Sequence, residues 1–283
     1  MAPLVYTLAL LAMVVATTAY EVKPLDMAQN SFDDQYQGCG PAMTAALPAL
    51  NGSEFQKNPF FAQIWPEAVA EWQKQGSRVS PLSSPEQAIA LMAFTKGIYG
   101  LFNMEVLEAG RSPQEYRDNF HYKTLHFLLT DALATLRDTQ EGQCLDVSLQ
   151  HCGVLYEAQR GDNVRFGQFF ITSLTKPPQG EGGCPEETEF QVHTCQGAGV
   201  QSFSEHPEFQ WVVIPPFETF QVTEITQEGG RRKIQLQSTG TSSKYNCEWL
   251  KAHHDSPDLP GPCGLHIPPD TLSPVTSWPP SLL

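Results

Sequence analysis

The 283 residues carry 17 Lys and Arg against 31 Asp and Glu, a formal net charge of −14, with 41% hydrophobic and 10% aromatic residues. That is the composition of a globular chain able to bury a sizeable core as one large or two small domains. With no basic stripe it argues against nucleic-acid binding, which needs clustered cations, and against adhesion to anionic membrane surfaces.

The chain opens with "MAPLVYTLALLAMVVATTAYEVKP", in which the apolar stretch Leu4 to Val15 precedes the small residues Ala16 to Ala19. This has the length of a signal-peptide core and is too short to span a bilayer. No Lys or Arg precedes it, so a buried N-terminal helix is the competing reading. Residues 1–19 are expected to be a signal peptide and the product to be secreted and extracellular. "NGS" at Asn51 is then a candidate glycosylation acceptor.

From 40 to 138 the pattern is helical. "SPEQAIALMAF" starts with Ser84 as N-cap, Pro85 in the first turn and Gln87 three residues on, the arrangement of a capping box. "SPQEYRDNF" repeats it with Ser112, Pro113 and Glu115. In "KTLHFLLTDALATL" the residues Leu125, Leu128, Leu129, Ala132, Leu133 and Leu136 recur at helical spacing and predict a core-facing stripe. His126 in that helix reads as a satisfied, partly buried histidine and not as a general base.

From 147 to 250 short strands alternate with turns: "NVRFGQFFITSL", "TEFQVHTC", "QWVVIPPFETFQVTEI" and "RKIQLQS". The Pro- and Gly-rich "TKPPQGEGGCPEE" between the first two reads as a loop. Helices first and strands second predict an α+β fold. From Ala252 to 283 Pro and Ser dominate, giving an expected disordered tail without the apolar run of about 10–20 residues that a lipid-anchor signal needs. "HHD" at His253 to Asp255 is a weak metal signal.

Seven cysteines, Cys39, Cys144, Cys152, Cys184, Cys195, Cys247 and Cys263, include no C-x-x-C pair. A structural zinc site is therefore disfavoured, and in a secretory compartment most should be oxidised. The odd count leaves at least one outside any intramolecular bridge. Cys152 and Cys184 are candidates for a bridge pinning the Pro/Gly-rich loop, although spacing does not fix the pairing of Cys152, Cys184 and Cys263.

"GDNVRFGQF", "VVIPPFETFQV" and "KYNCEWLK", with "NSFDDQYQGC" and "FHYKTLHFLLTDAL" upstream, resemble the vertebrate ecto-ADP-ribosyltransferases. The resemblance runs from about Leu25 to Lys251. It implies one domain over 20–251, helical over 40–138 and strand-rich over 147–250. The helical part would pack on a two-sheet, mostly antiparallel β core with a cleft. It also implies the bridges Cys39–Cys247 and Cys144–Cys195. Members of that family are glycosyltransferases that move ADP-ribose from NAD(P)+ to arginine side chains of proteins, so NAD(P)+ is the implied ligand and no metal is implied.

The family's chemistry uses three elements. An Arg-Gly pair grips the pyrophosphate, and the bidentate permanent charge of a guanidinium suits that task. The leading serine of a Ser-x-Ser strand orients the catalytic glutamate. A Glu-x-Glu before the "VLIPP" strand stabilises the cationic transition state and handles the incoming guanidinium. Counted from matched anchors, these positions hold Leu149 and Gln150, Ile171, and Phe209 and Trp211. The loop "KPPQGEGGCPEE" also lacks the family's nicotinamide-stacking aromatic.

Glu205 and Glu208 are three apart, not the two that aim side chains to one face of a strand. Only a one-residue register slip would turn Glu208 inward. Arg160 and Arg165 read as surface or strand-flanking residues. The expectation is a catalytically inactive family member, a pseudoenzyme that binds an unidentified protein or small molecule, with NAD binding weak or absent. The alternative is an active NAD(P)+–protein-arginine ADP-ribosyltransferase working through residues not identified.

Overall fold

The computed structural model describes residues 20–175, 184 and 186–254. The signal-peptide stretch 1–19, most of the Pro/Gly-rich loop, Asp255, Cys263 and the remaining tail lie outside the described residues.

Prolines and small polar caps set the helix starts. Helix α1 (Gly40–Lys57) has Pro41 in its first turn, and α2 (Pro59–Lys74) is capped by Asn58, whose side chain accepts from Phe61 N at 3.0 Å. Helix α3 (Pro85–Ala93) is capped as predicted by Ser84 Oγ, which accepts from Gln87 N. The reciprocal bond differs from the predicted box: Gln87 Oε1 accepts from Ser83 N at 2.7 Å, while Gln87 Nε2 donates to Asp131. Helix α4 (Tyr99–Ala109) follows a π-helical turn over Phe94–Ile98, and α5 (Pro113–Asp118) is capped by Ser112. Helix α6 (Lys123–Thr139) buries all six residues of its predicted stripe.

Strand β1 (Glu21–Pro24) precedes the helices and pairs in parallel with β3 (Val154–Glu157), an element the sequence pattern did not signal. The remaining strands form one eight-stranded array. In spatial order they are β4 (Asn163–Val164), β9 (Glu218–Glu228), β10 (Arg231–Thr241), β6 (Glu187–Thr194), β2 (Leu145–Cys152), β5 (Phe170–Ser173), β8 (Trp211–Ile214) and β7 (Ala198–Gly199). All pairs are antiparallel except β6 with β10. Strands β2 and β5 meet at one residue pair, Ser148 and Ser173, so the array hinges there into two sheets. Helix α7 (Glu248–His254) ends the described chain, where strand-like texture was expected to run to 250.

Two cores result. One joins the helices to the β5–β8 side through Phe169, Val213 and Phe203; the other fills the space between the sheets with Val147, Phe170, Phe190, Val212 and Phe220. Burial of this apolar area is the main driving force for the fold.

The N-terminal "FDD" ties the two ends of the domain together. Asp33, fully buried, accepts from Arg165 Nη1 at 2.5 Å and from the backbone of Lys244 and Tyr245. Asp34 accepts from Tyr36 N, Cys247 N and Glu248 N, which caps α7; burial nonetheless raises its pKa. Arg165 directly follows β4, as the strand-flanking reading had it, but it is not a surface residue: 3% exposed, it is a buried hub that also donates to Met27 O, Ala28 O and Ser242 O. Close approach of this segment requires glycine at two places. A Cβ at Gly110 would lie 1.9 Å from Ser31 O, and one at Gly167 (φ +65) would lie 2.3 Å from Ala28 Cβ.

Disulfides join Cys39 to Cys247, Cys144 to Cys195 and Cys152 to Cys184. The first two are the pairs the resemblance implied, and the third is the bridge left open. Asn51 does not offer a glycan acceptor: it is 2% exposed inside α1, and its Oδ1 is buried. A branched sugar cannot be attached there without displacing the helical core. The tripeptide signal carries no information on burial.

Candidate functional site

Strand alternation decides where each predicted residue points. Ile171 pairs with Val213 and Ser173 with Trp211, so Ile171 and Trp211 share one face of the β5–β8 pair, and both pack against the helical core. Leu149 lies on the adjacent strand β2 and packs with Val147 into the core between the sheets. Gln150 is on the other side of β2, where its amide donates to Glu187, which also accepts from Arg231. The fold therefore brings Ile171 and Trp211 together on the helical side, while Leu149 faces the core between the sheets.

Trp211 opens β8, and Phe209 precedes it by two residues on the same side. Their rings stack at 5.3 Å with planes 20° apart, and His206 meets them at 5.7 and 5.9 Å. Phe209 is 48% exposed. The register is fixed on both sides: Leu174 N donates to Gln210 O at 3.1 Å and Val200 N to Trp211 O at 2.9 Å. No slip turns Glu208 inward; it stays exposed beside His206 at 3.2 Å. Glu205 is held by Lys96 at 2.9 Å, a contact that raises the lysine pKa. Neither carboxylate stands in for Phe209 or Trp211.

The hydroxyls of β5 are also spent. Thr172 Oγ1 donates to Val212 O at 2.9 Å, and Ser173 Oγ is engaged with Thr175. The site thus holds stacked aromatics and aliphatics, with its nearby charges neutralised in pairs.

A cavity of about 630 Å³ opens beside β2, between residues 23–30 and α4. His151, two residues after Leu149 and on the same side of the strand, lines it with Tyr99, Met104, Tyr156 and Phe166. Tyr156 Oη and His151 Nδ1 lie 3.2 Å apart. Burial pushes both tyrosine hydroxyls up to about 12, and burial with the nearby Lys23 lowers the pKa of His151. The cavity's Arg165 is already bound to Asp33, and its Lys23 is paired with Glu21 at 3.1 Å. Of its carboxylates, Glu108 is paired with Arg111 and Asp26 accepts from Ala28 N, so the lining leaves no unengaged cation for an anionic occupant.

Two buried groups were missed from sequence. Arg165 is described above. Glu218, in "PPFETF", is fully buried and accepts from Thr194 Oγ1, Ser238 Oγ, Cys195 N and Gln196 N. Burial raises its pKa even so, and it braces the turn after β6. His126 is fully buried, deeper than expected, between Tyr36 Oη at 2.9 Å and Phe32 O at 3.1 Å. Arg160 is exposed in the turn before β4. Cys144, His193 and Cys195 place potential metal-binding atoms within 4.8 Å of one another, but the two sulfurs are bonded together and His193 faces Asp146 at 2.7 Å. A lone imidazole nitrogen is a poor metal site.

A family model for NAD:arginine ADP-ribosyltransferase matches residues 25–244. The erythroblast NAD(P)(+)–arginine ADP-ribosyltransferase of Gallus gallus is 43% identical over 259 residues, covering 90% of this chain and 84% of its own length. The GPI-linked NAD(P)(+)–arginine ADP-ribosyltransferase 1 of Homo sapiens is 41% identical, covering 85% and 78%. Among solved structures, a mutant of the mono-ADP-ribosyltransferase ART2.2 in complex with NAD superposes with a TM-score of 0.68 at 33% identity, covering 80% of this chain and 98% of that one.

Proposed function

Since the chain belongs to the NAD:arginine ADP-ribosyltransferase family, we propose that it is a secreted member without transferase activity, which uses the altered mouth of its cleft to bind. The observation that carries this reading is the stacked pair Phe209 and Trp211 at the start of β8, where the family's chemistry needs two carboxylates. The other lost elements point the same way. Leu149 offers no charge to a pyrophosphate, Ile171 offers no hydroxyl, and Arg165 near the cavity is engaged by Asp33. Removing one well-placed electrostatic group typically costs about 10²–10³-fold in rate, and groups that act as a unit fail together. The residues present do not fit NAD as a substrate. An exposed aromatic ring beside apolar side chains favours an occupant with apolar surface, a protein segment or a small molecule. The disulfides and the absence, among the described residues, of a helix long and apolar enough to cross a membrane accord with an extracellular setting.

The test separates binding from catalysis. NAD is titrated calorimetrically into the disulfide-intact protein, and transfer to a small guanidino acceptor is assayed in parallel. The expected result is no saturable NAD heat and no transfer. Acceptor-dependent turnover by the unaltered chain would overturn the reading.

A further inference from the structure

Cys144 directly precedes β2 and Cys195 directly follows β6, and the register pairs Leu145 with Thr194 and Asp146 with His193. The two cysteines therefore stand opposite each other just past the end of the ladder. Alternation puts them on the face that also carries Asp146 and His193. We propose that this corner is a redox-gated zinc site. Bridged, it offers no thiolate; once a thiol reductant opens Cys144–Cys195, it binds one Zn²⁺ through both sulfurs and His193, with Asp146 positioning the imidazole.

One ligand atom from each of Cys144, His193 and Cys195 lies within 4.8 Å of the other two, and this is the one such group among the described residues. Zinc–sulfur bonds of about 2.3 Å and zinc–nitrogen bonds of about 2.0 Å set tetrahedral ligands roughly 3.5–4 Å from one another. Rotation of the cysteine side chains, freed when the bridge opens, covers the difference. His193 Nδ1 lies 2.7 Å from Asp146 Oδ1. A carboxylate there holds the proton on Nδ1 and leaves the Nε2 lone pair for a metal, the usual arrangement behind a zinc-bound histidine. Asp146 and His193 also line a surface hollow of about 410 Å³, which gives an ion and a water as fourth ligand a way in.

The ligands stay placed without the bridge. Eight residue pairs join β2 to β6. Glu218 Oε1 accepts from Cys195 N at 2.7 Å and from Gln196 N at 3.1 Å, while Oε2 accepts from Thr194 Oγ1 at 2.5 Å. The gating chemistry balances. A dithiol passes two electrons and two protons to the bridge and closes to its own disulfide, leaving Cys144 and Cys195 as thiols. Zinc then displaces both thiol protons. Because it binds only the opened form, zinc pulls the exchange toward opening at this bridge. The inference does not depend on what Phe209 and Trp211 bind.

The experiment uses Co²⁺, a spectroscopic stand-in for zinc, on the full chain. Reduced with dithiothreitol and freed of it under nitrogen, the chain should take up one Co²⁺ with the charge-transfer and d–d bands of a tetrahedral thiolate site, and zinc should displace it. The oxidised chain should show no such bands. His193→Ala should weaken cobalt binding at least about tenfold with circular dichroism unchanged. Asp146→Ala should keep the bands and weaken binding about 10–100-fold, as loss of a positioning partner does. Reduction opens all three bridges, so Cys144→His supplies a version that needs no reductant. With the other two bridges mapped intact, it should bind Co²⁺ through the introduced imidazole, His193 and Cys195. A reduced chain without tetrahedral bands, loss of native circular dichroism in the zinc-loaded reduced chain, equal bands from the oxidised chain, undiminished affinity in His193→Ala, or no cobalt uptake by a folded Cys144→His chain would each overturn the proposal.

Discussion

His126 is held neutral by its surroundings. Fully buried, it has its pKa lowered to about 3, chiefly by desolvation; the hydrogen bond to Phe32 O acts in the opposite direction and does not offset it. In the unfolded chain the imidazole takes up a proton near pH 6.5. Between 6.5 and 3 the unfolded state therefore binds a proton that the folded state refuses, and stability falls as pH drops through that window. The expected slope is about 1.4 kcal/mol per pH unit. His126→Gln can retain one donor and one acceptor but cannot titrate. Urea melts of both proteins from pH 7 to pH 4 should diverge by that slope; parallel curves would remove His126 as the cause. Arg165 offers a second test at this scale. Its partner Asp33 is fully buried, so Arg165→Leu leaves a carboxylate unpaired and should cost about 3–5 kcal/mol in denaturant melts. A loss below 1 kcal/mol would mean that the backbone donors alone satisfy Asp33.

The elements were unevenly legible in the sequence. Ser84 and Ser112 announced their helices because capping is local chemistry, and the α6 stripe showed the face it would bury. "NVRFGQFFITSL" was read as one strand, yet Gly167 breaks it into β4 and β5 so that the chain can pass close to Ala28 and Ser31. That packing is long-range and leaves no periodic trace. The same holds for β1, four residues whose partner β3 is more than a hundred positions away, and for the buried Asp33–Arg165 pair. The site was legible through its motifs: anchors on either side located Leu149, Ile171, Phe209 and Trp211, and the β5–β8 register then set Ile171 and Trp211 on one face. Cross-links belong to this scale too. The bridge Cys39–Cys247 closes 208 residues of sequence and Cys152–Cys184 closes 32. In the chain-entropy account the longer loop contributes roughly 1.5 kcal/mol more. Paired Cys→Ala variants should rank in that order in urea midpoints, and peptide mapping without reduction should recover all three bridges. A free thiol at Cys39 or Cys195 would contradict the framework.

At the scale of the whole molecule, the proposed reading separates scaffold from chemistry. A TM-score of 0.68 to a mutant transferase in complex with NAD covers 80% of this chain, while in the proposed reading the positions of the family's arginine, serine and two glutamates hold Leu149, Ile171, Phe209 and Trp211. These replacements are not independent losses. The phosphate-gripping cation, the orienting hydroxyl and the carboxylates act on one transition state, so restoring any one alone meets a site in which the others are still missing. Phe209 and Trp211 also fill volume that two glutamates would leave open, since stacked aromatic rings are the bulkier pair. Trp211→Glu alone is therefore expected to give no transfer. It should also lower stability, because Trp211 packs against the helical core. The combined variant Leu149→Arg, Ile171→Ser, Phe209→Glu and Trp211→Glu restores the cation, the hydroxyl and both carboxylates at once on a backbone whose β5–β8 register is already fixed. It should gain saturable NAD binding by calorimetry before it gains measurable turnover, because gripping the pyrophosphate tolerates small misplacements that a transition state does not. A folded combined variant that still fails to bind NAD would show that the lost charges are not the reason, and that the hinge between β2 and β5 has itself closed against the nucleotide.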